Sequence, residues 1–189
     1  NYHDKSKDRI KIYPKYTNII SNLQNINITE GYRQTRRNIL RNLENKKNFI
    51  FESCTDKNMV IDFYNQVMSR SNILTDNTIK KKVSMIVDYA LEFNGSILQI
   101  RDSIKNKVSY ISICLSENKT TNLIFSLVSN DYRKQDVAVL GIHKTINFWK
   151  EKGIESFDFN GSNSPNRGDD KDSYGGDTQL FFELSYKIK

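Results

Sequence analysis

Three stretches rich in β-branched and aromatic residues, Ser96–Arg101, Lys107–Ser116 and Thr121–Ser129, follow one another across the short polar turns 102–106 and 117–120. Turns of that length join antiparallel neighbours, so these residues predict a meander. The next segment carries Val139, Ile142, Ile146 and Trp149 at helical spacing and stops at Gly153, and another strand is expected at Ile154–Phe159. A strand joined to the next through a helix lies parallel to it, by a right-handed crossover. A chain with both kinds of connection must build a mixed, twisted sheet with helices on its faces.

The remaining pattern fills in the layers. Phe49–Cys54 reads as a strand, and Thr55 or Asp56 can cap a helix with Met59, Val60, Phe63 and Val67 on one stripe. Asp76 can cap the next, whose Ile79, Val83, Ile86, Val87 and Ala90 face the core before Gly95 ends it. A helix over Thr29–Asn45 turns Ile39, Leu40 and Leu43 inward and lines up Arg33, Arg37 and Arg41, with Arg36 beside them. Residues 1–27 read as a lead-in, with a short strand at Arg9–Tyr13 interrupted by Pro14. The expected organisation is therefore a lead-in and one domain over 28–189, of class α/β (α+β), with about six strands flanked by helices.

Composition excludes several classes. Hydrophobic residues make up 37% and charged residues 27%, which is neither disordered nor membranous, and no apolar run reaches the length of a bilayer span. The formal net charge of +7 favours polyanionic partners such as nucleic acid, nucleotide phosphates or an acidic membrane surface. Cys54 and Cys114 fall among apolar neighbours and read as reduced core residues of a cytoplasmic protein. His3 and His143 stand far apart and no cysteines cluster, so no metal site and no Ser-His-Asp or Cys-His arrangement is expected.

The chemistry is expected near the C-terminus. An apolar strand ends at Asp158 and breaks at Asn160-Gly161-Ser162, which delivers polar groups to a sheet edge. Eleven residues, Ser162 to Asp172, then form a polar loop with at most a short helical turn, ahead of Lys171-Asp-Ser-Tyr-Gly-Gly176 and a last strand at Leu180–Lys187.

This order resembles the GNAT acyltransferase fold. Tyr32-Arg-Gln-Thr-Arg-Arg-Asn-Ile39 resembles the Arg-rich helix that opens the second half of FemABX-type proteins. Phe157-Asp-Phe-Asn-Gly-Ser162 followed by Lys171-x-x-Tyr-Gly-Gly176 resembles that family's closing pattern. The resemblance covers residues 13–189 and implies a C-terminal GNAT-like half, with a missing N-terminal half as a possible partner. It implies transfer of an acyl or aminoacyl group to an amine by direct attack, in cell-envelope precursor synthesis. The donor would be aminoacyl-tRNA or acyl-CoA, with no bound cofactor, and the acceptor amine would be nucleotide- or lipid-linked. The family often has an aromatic residue before the motif lysine, where this chain has Asp170 between Asp169 and Lys171. The glycine-rich loop that cradles the CoA pyrophosphate at a helix N-terminus is also missing, because 130–136 holds no glycine.

Residue roles stay open between functional and structural alternatives. Asp158 can accept a proton from the amine, position it, or simply bond to loop N–H groups. Lys171 can bind a diphosphate or tRNA phosphate, or pair with Asp169 or Asp172. Tyr174 can stack on a base or anchor the loop, and Gly175 and Gly176 supply the turn. Arg133 and Lys134 can reach a phosphate at the cleft mouth, and Arg33, Arg37 and Arg41 can follow a tRNA backbone. The alternatives to an aminoacyltransferase are a non-catalytic module that binds tRNA or a nucleotide-linked substrate, and a CoA-dependent N-acetyltransferase.

Overall fold

The structure, a computed structural model, describes residues 10–69, 76–161 and 165–186. β1 (Ile10–Ile20) leads through a 3-10 turn at Leu23–Asn25 into α1 (Ile28–Gly31) and α2 (Gln34–Glu44). Next come β2 (Phe49–Ser53), α3 (Lys57–Met68), α4 (Asn77–Glu92) and the meander β3 (Gly95–Asp102), β4 (Lys107–Glu117) and β5 (Thr120–Val128). A 3-10 segment at Asn130–Gln135 then precedes α5 (Val137–Glu151), β6 (Ser156–Asp158), α6 (Pro165–Asp172) and β7 (Asp177–Tyr186).

The strands form one mixed sheet in the order β2-β3-β4-β5-β6-β1-β7. The pairings are antiparallel except β5 with β6, which α5 joins as the parallel crossover. α2 and α5 pack on one face against Ile100, Tyr110, Cys114 and Leu123. α3 and α4 cover the other against Ile97, Ile111, Ile113 and Leu127. With both faces covered, β4 is buried continuously from Ser109 to Cys114. Its polar members are satisfied internally: the Ser109 hydroxyl donates to Ile100 O, and Ser112 bonds Thr145 across 2.8 Å.

Asp56 and Asp76 cap α3 and α4 as their positions suggest, accepting from Met59 N at 3.0 Å and Ile79 N at 2.7 Å. Asp136 does not: it sits before α5 with φ +54° and makes no side-chain cap. Gly141, inside α5, serves packing, because a Cβ there would lie 2.4 Å from the Tyr110 ring.

Three features differ from expectation. The sheet has seven strands, because the strand expected to stop at Pro14 runs on to Ile20 and pairs with β7 along its length. Pro14 is tolerated because it pairs on the β7 side alone, β6 reaching β1 only at Ile19 and Ile20. The helix expected over Thr29–Asn45 breaks at Tyr32–Arg33, which are extended with ψ 139° and 149°. That break lets Arg33 N donate to Ser173 O at 2.9 Å and buries Tyr32. Finally, eight residues of the expected polar loop form α6, which opens on Pro165, a residue pre-shaped for a first helical turn.

Candidate active site at the gap between β5 and β6

β5 and β6 pair only at Thr120, Thr121 and Asn122, opposite Ser156, Phe157 and Asp158. Immediately afterwards the ladder between β4 and β5 slips, with Cys114 opposite Leu123 and Ile113 opposite Phe125, so Ile124 is an extra residue. A bulge bends its strand and increases the local twist. β6 is meanwhile held on its far side by β1, through Ile19 and Ile20 and through a 2.9 Å bond from Phe159 N to Asn18 O. The two neighbours therefore diverge. Every second backbone N–H and C=O of β5 beyond Asn122 faces the gap instead of a partner strand.

The gap holds a cavity of about 440 Å³. Its walls are Leu123–Leu127 of β5, Tyr64 and Met68 of α3, and Phe159, Asn160 and Lys171. A second cavity of about 290 Å³ shares Ile124 and Asn160 with it and adds Tyr89, Ser116, Glu117 and Asn122. Two spaces of different polarity thus meet at the bulge residue.

α6 is fastened over this region by the arginine helix. Arg33 bonds Asp169 at 2.6 Å, and Arg36 pairs with Asp170 and donates to the Ser173 hydroxyl at 2.8 Å. Arg36 also lies 5.1 Å above the Tyr174 ring. Tyr174 is 1% exposed, stacks on Phe159 at 5.7 Å and meets Tyr32 edge-on at 5.3 Å. Burial pushes its phenol well above the ordinary range, so it stays protonated. Lys171 donates to the carbonyls of Asn160, at 2.6 Å, and Gly161. Asp172 accepts from the fully buried Asn18 and from Thr178 at 3.3 Å. The two motifs singled out in the sequence are therefore the halves of one clamp, and the carboxylates around Lys171 are matched by Arg33, Arg36 and Asn18.

Of the sequence-predicted residues, the structure brings Asn160 and Lys171 to the cavity. Asp158 is not among its lining residues; one carboxylate oxygen accepts from Asn160 N at 2.7 Å and from the Thr17 hydroxyl. Gly161 supplies a carbonyl to Lys171, while Tyr174, Gly175 and Gly176 belong to the packed junction behind the gap. Ser162 lies outside the described residues. Arg133 and Lys134 are exposed on the 3-10 segment and do not line the gap. Arg33 is tied to Asp169, Arg37 donates to Gln34 at 2.9 Å and to Glu30 O at 3.3 Å, and Arg41 is exposed.

His143 is buried, 3.3 Å from the Tyr32 hydroxyl and 2.9 Å from the Asn147 amide. Burial, then the Lys144 charge, pulls it down to about 4, so it is a neutral core residue near pH 7. Sequence reasoning missed Ile124, Tyr64, Met68 and Glu117. A signal for the first exists: Leu123-Ile124-Phe125 breaks the alternation that a regular half-buried strand keeps.

No family model matches the sequence, and no curated protein matches it. Solved structures do. L-PGS from Bacillus licheniformis superposes with a TM-score of 0.65 at 13% identity, over 96% of this chain and 63% of that one. FemX superposes with 0.68 at 10% identity, over 91% of this chain and 60% of that one. The GCN5-related glucosamine N-acetyltransferase region of a fungal multi-domain GH3 β-N-acetylglucosaminidase gives 0.57 at 9% identity, over 95% and 21%. The chain thus spans about three-fifths of the L-PGS and FemX structures. At these identities the likeness is one of fold, and the fold is GNAT-like.

Proposed function

We propose that the chain transfers an acyl or aminoacyl group to an amine in the gap between β5 and β6. The observation that carries this is the divergence itself: a bulge at Ile124, pairing that stops at Asn122, and a cavity of about 440 Å³ where the next ladder bonds would have been. Acyl transfer asks little else of a protein. It needs aligned reactants and hydrogen-bond donors fixed where the oxyanion forms. The gap-facing N–H groups of β5 are such donors, rigid because β4 holds the strand from behind.

The amine enters through the second cavity, where Glu117 is the carboxylate that attracts its charged form and accepts its proton. Its nitrogen attacks the carbonyl carbon. The tetrahedral intermediate collapses to an amide, and the donor's alcohol leaves with a proton. Asn160 and Lys171 close the site, Lys171 by holding the carbonyls of residues 160 and 161 in place. Asp158 holds the end of β6 to β1 through Thr17.

Aminoacyl-tRNA fits as donor better than CoA. The segment between β5 and α5 is a 3-10 turn with Tyr132 buried and bonded to Asp102 at 2.9 Å, and Asp131 and Asp136 are exposed around it. Without a glycine in 130–136 the segment forms no nest of free N–H groups to cradle a diphosphate, and its two carboxylates offset Arg133 and Lys134. The resemblance of residues 157–176 to FemABX proteins, together with the FemX fold, supports a nucleotide- or lipid-linked cell-envelope precursor as acceptor in the cytoplasm. Further chain, in keeping with the greater length of the L-PGS and FemX structures, would extend the tRNA surface begun by Arg37 and Arg41.

The test is mass-spectrometric detection of amide product. Bulk aminoacyl-tRNA with a UDP-linked muropeptide is expected to give one, and acetyl-CoA none. Glu117→Gln is expected to slow formation by about 10- to 100-fold. No amide from any aminoacyl-tRNA would defeat the reading, and product from acetyl-CoA alone would replace the donor.

A further inference from the structure

We propose that the larger cavity selects a neutral, apolar acyl group, such as a leucyl-type side chain, over a cationic or minimal one; this rests on the transfer reading above for the identity of the bound group. The walls decide it. The lining side chains Tyr64, Met68, Leu123, Phe125, Leu127 and Phe159 are largely carbon, and the polar groups beside them, the Tyr64 hydroxyl, Ser126, Asn160, Lys171 and the gap-facing backbone of β5, carry no negative charge. No carboxylate stands among the described lining residues, and residues 70–75 and 162–164, which flank the lining elements, contain no acidic residue in sequence.

An ammonium group brought into such a space loses water, gains no counter-charge and meets the like charge of Lys171. A neutral branched side chain gains instead, each buried methylene being worth roughly fourfold in affinity. The volume of about 440 Å³ also suits more than a glycyl group, since small-ligand sites begin near ~300 Å³. The carboxylate of Glu117 lies in the adjoining cavity, so the two spaces sort the reactants by polarity: apolar acyl group on one side of Ile124, amine on the other.

The protein carries three methionines, and they make the test self-controlled. Met68 lines this cavity, Met59 lines a different one beside Asp62 and Lys107, and Met85 is 61% exposed. The full chain labelled with [13C-methyl]methionine is titrated with N-acetyl-leucine methylamide, N-acetyl-lysine methylamide and N-acetyl-glycine methylamide. The leucine probe is expected to shift Met68 selectively, with a Kd at least tenfold below those of the other two. A lysine or glycine probe that binds at Met68 as tightly as the leucine probe overturns the proposal. So does a leucine probe that moves only Met59 or Met85, or no methionine. Because the readout is binding, a protein that takes the leucine probe but forms no amide from any donor sinks the transfer reading and leaves the apolar selectivity standing.

Discussion

Deleting Ile124 is expected to abolish transfer while leaving the chain folded. The bulge places Leu123 on the α2–α5 face of the sheet and Phe125 on the α3–α4 face, although both are odd-numbered neighbours of one residue. Removing Ile124 makes them adjacent, and adjacent strand residues point to opposite faces in any regular ladder. Each side chain of β5 therefore keeps its side, and the pairing of Cys114 with Leu123 runs directly into that of Ile113 with Phe125. What disappears is the bend. A straight β5 no longer diverges from β6, and the donors aimed into the gap lose their geometry. The melting temperature is expected to change by only a few degrees, while the amide-forming rate falls by about 100-fold or more, the scale that a misplacement of about an ångström costs. A deletion variant that transfers at near the parental rate would remove the bulge from the mechanism.

Gly175→Ala is expected to be the most damaging single substitution of the clamp. Gly175 has φ +77°, and a Cβ there would sit 2.7–2.8 Å from the backbone of Gly31, which cannot retreat like a side chain tip. The left-handed backbone costs an L residue about 1–2 kcal/mol, and overpacking adds about 1–3. A total near ~3 kcal/mol lowers Tm by roughly 6–12 °C in a domain of this size. Gly153 supplies the control, with φ +81° and nothing within 4 Å of its Cβ position. Gly153→Ala carries the backbone cost alone and is expected to lower Tm by about 3 °C. Equal shifts for the two variants would show that the approach of Gly31 to Gly175 is loose, and with it the seating of α6 on α1.

The contrast between these elements shows what local pattern reveals. The meander, the crossover helix with Val139, Ile142, Ile146 and Trp149, and the caps at Asp56 and Asp76 were legible because each rests on residues within a few positions of one another. Only the start of β1, up to Tyr13, was, because the rest is supported by β7 at the other end of the chain, with Pro14 opposite Phe182 and Tyr16 opposite Leu180. Pro14 looks like a break until the absence of a strand on its other side is known. α6 was hidden for a related reason. Asp169, Asp170 and Lys171 carry no apolar stripe, and the helix is fixed by Arg33 and Arg36 more than 130 positions away.

The site followed the same division. Asn160 and Lys171 could be found because a strand end followed by a left-handed turn must deliver groups to the sheet edge, and both residues reach the cavity. The three acidic neighbours of Lys171 looked like a loss of positive potential, yet they are the acceptors that hold α6 to α2 and to Asn18. For Asp158 the pattern left open a proton acceptor, an amine-positioning group and a carboxylate bonded to loop N–H groups; it accepts from Asn160 N, and from Thr17 on the part of β1 that the pattern did not show.

Residue-resolved amide hydrogen exchange across Thr120–Val128 tests the gap most directly. Amides from Thr120 to Asn122 are expected to be protected, flanked by β4 and β6 alike. From Leu123 to Val128 protection should alternate, slow where the N–H meets β4 and fast where it faces the cavity. Uniform protection along the whole of β5 would mean a closed sheet with no place for an amine to meet a carbonyl.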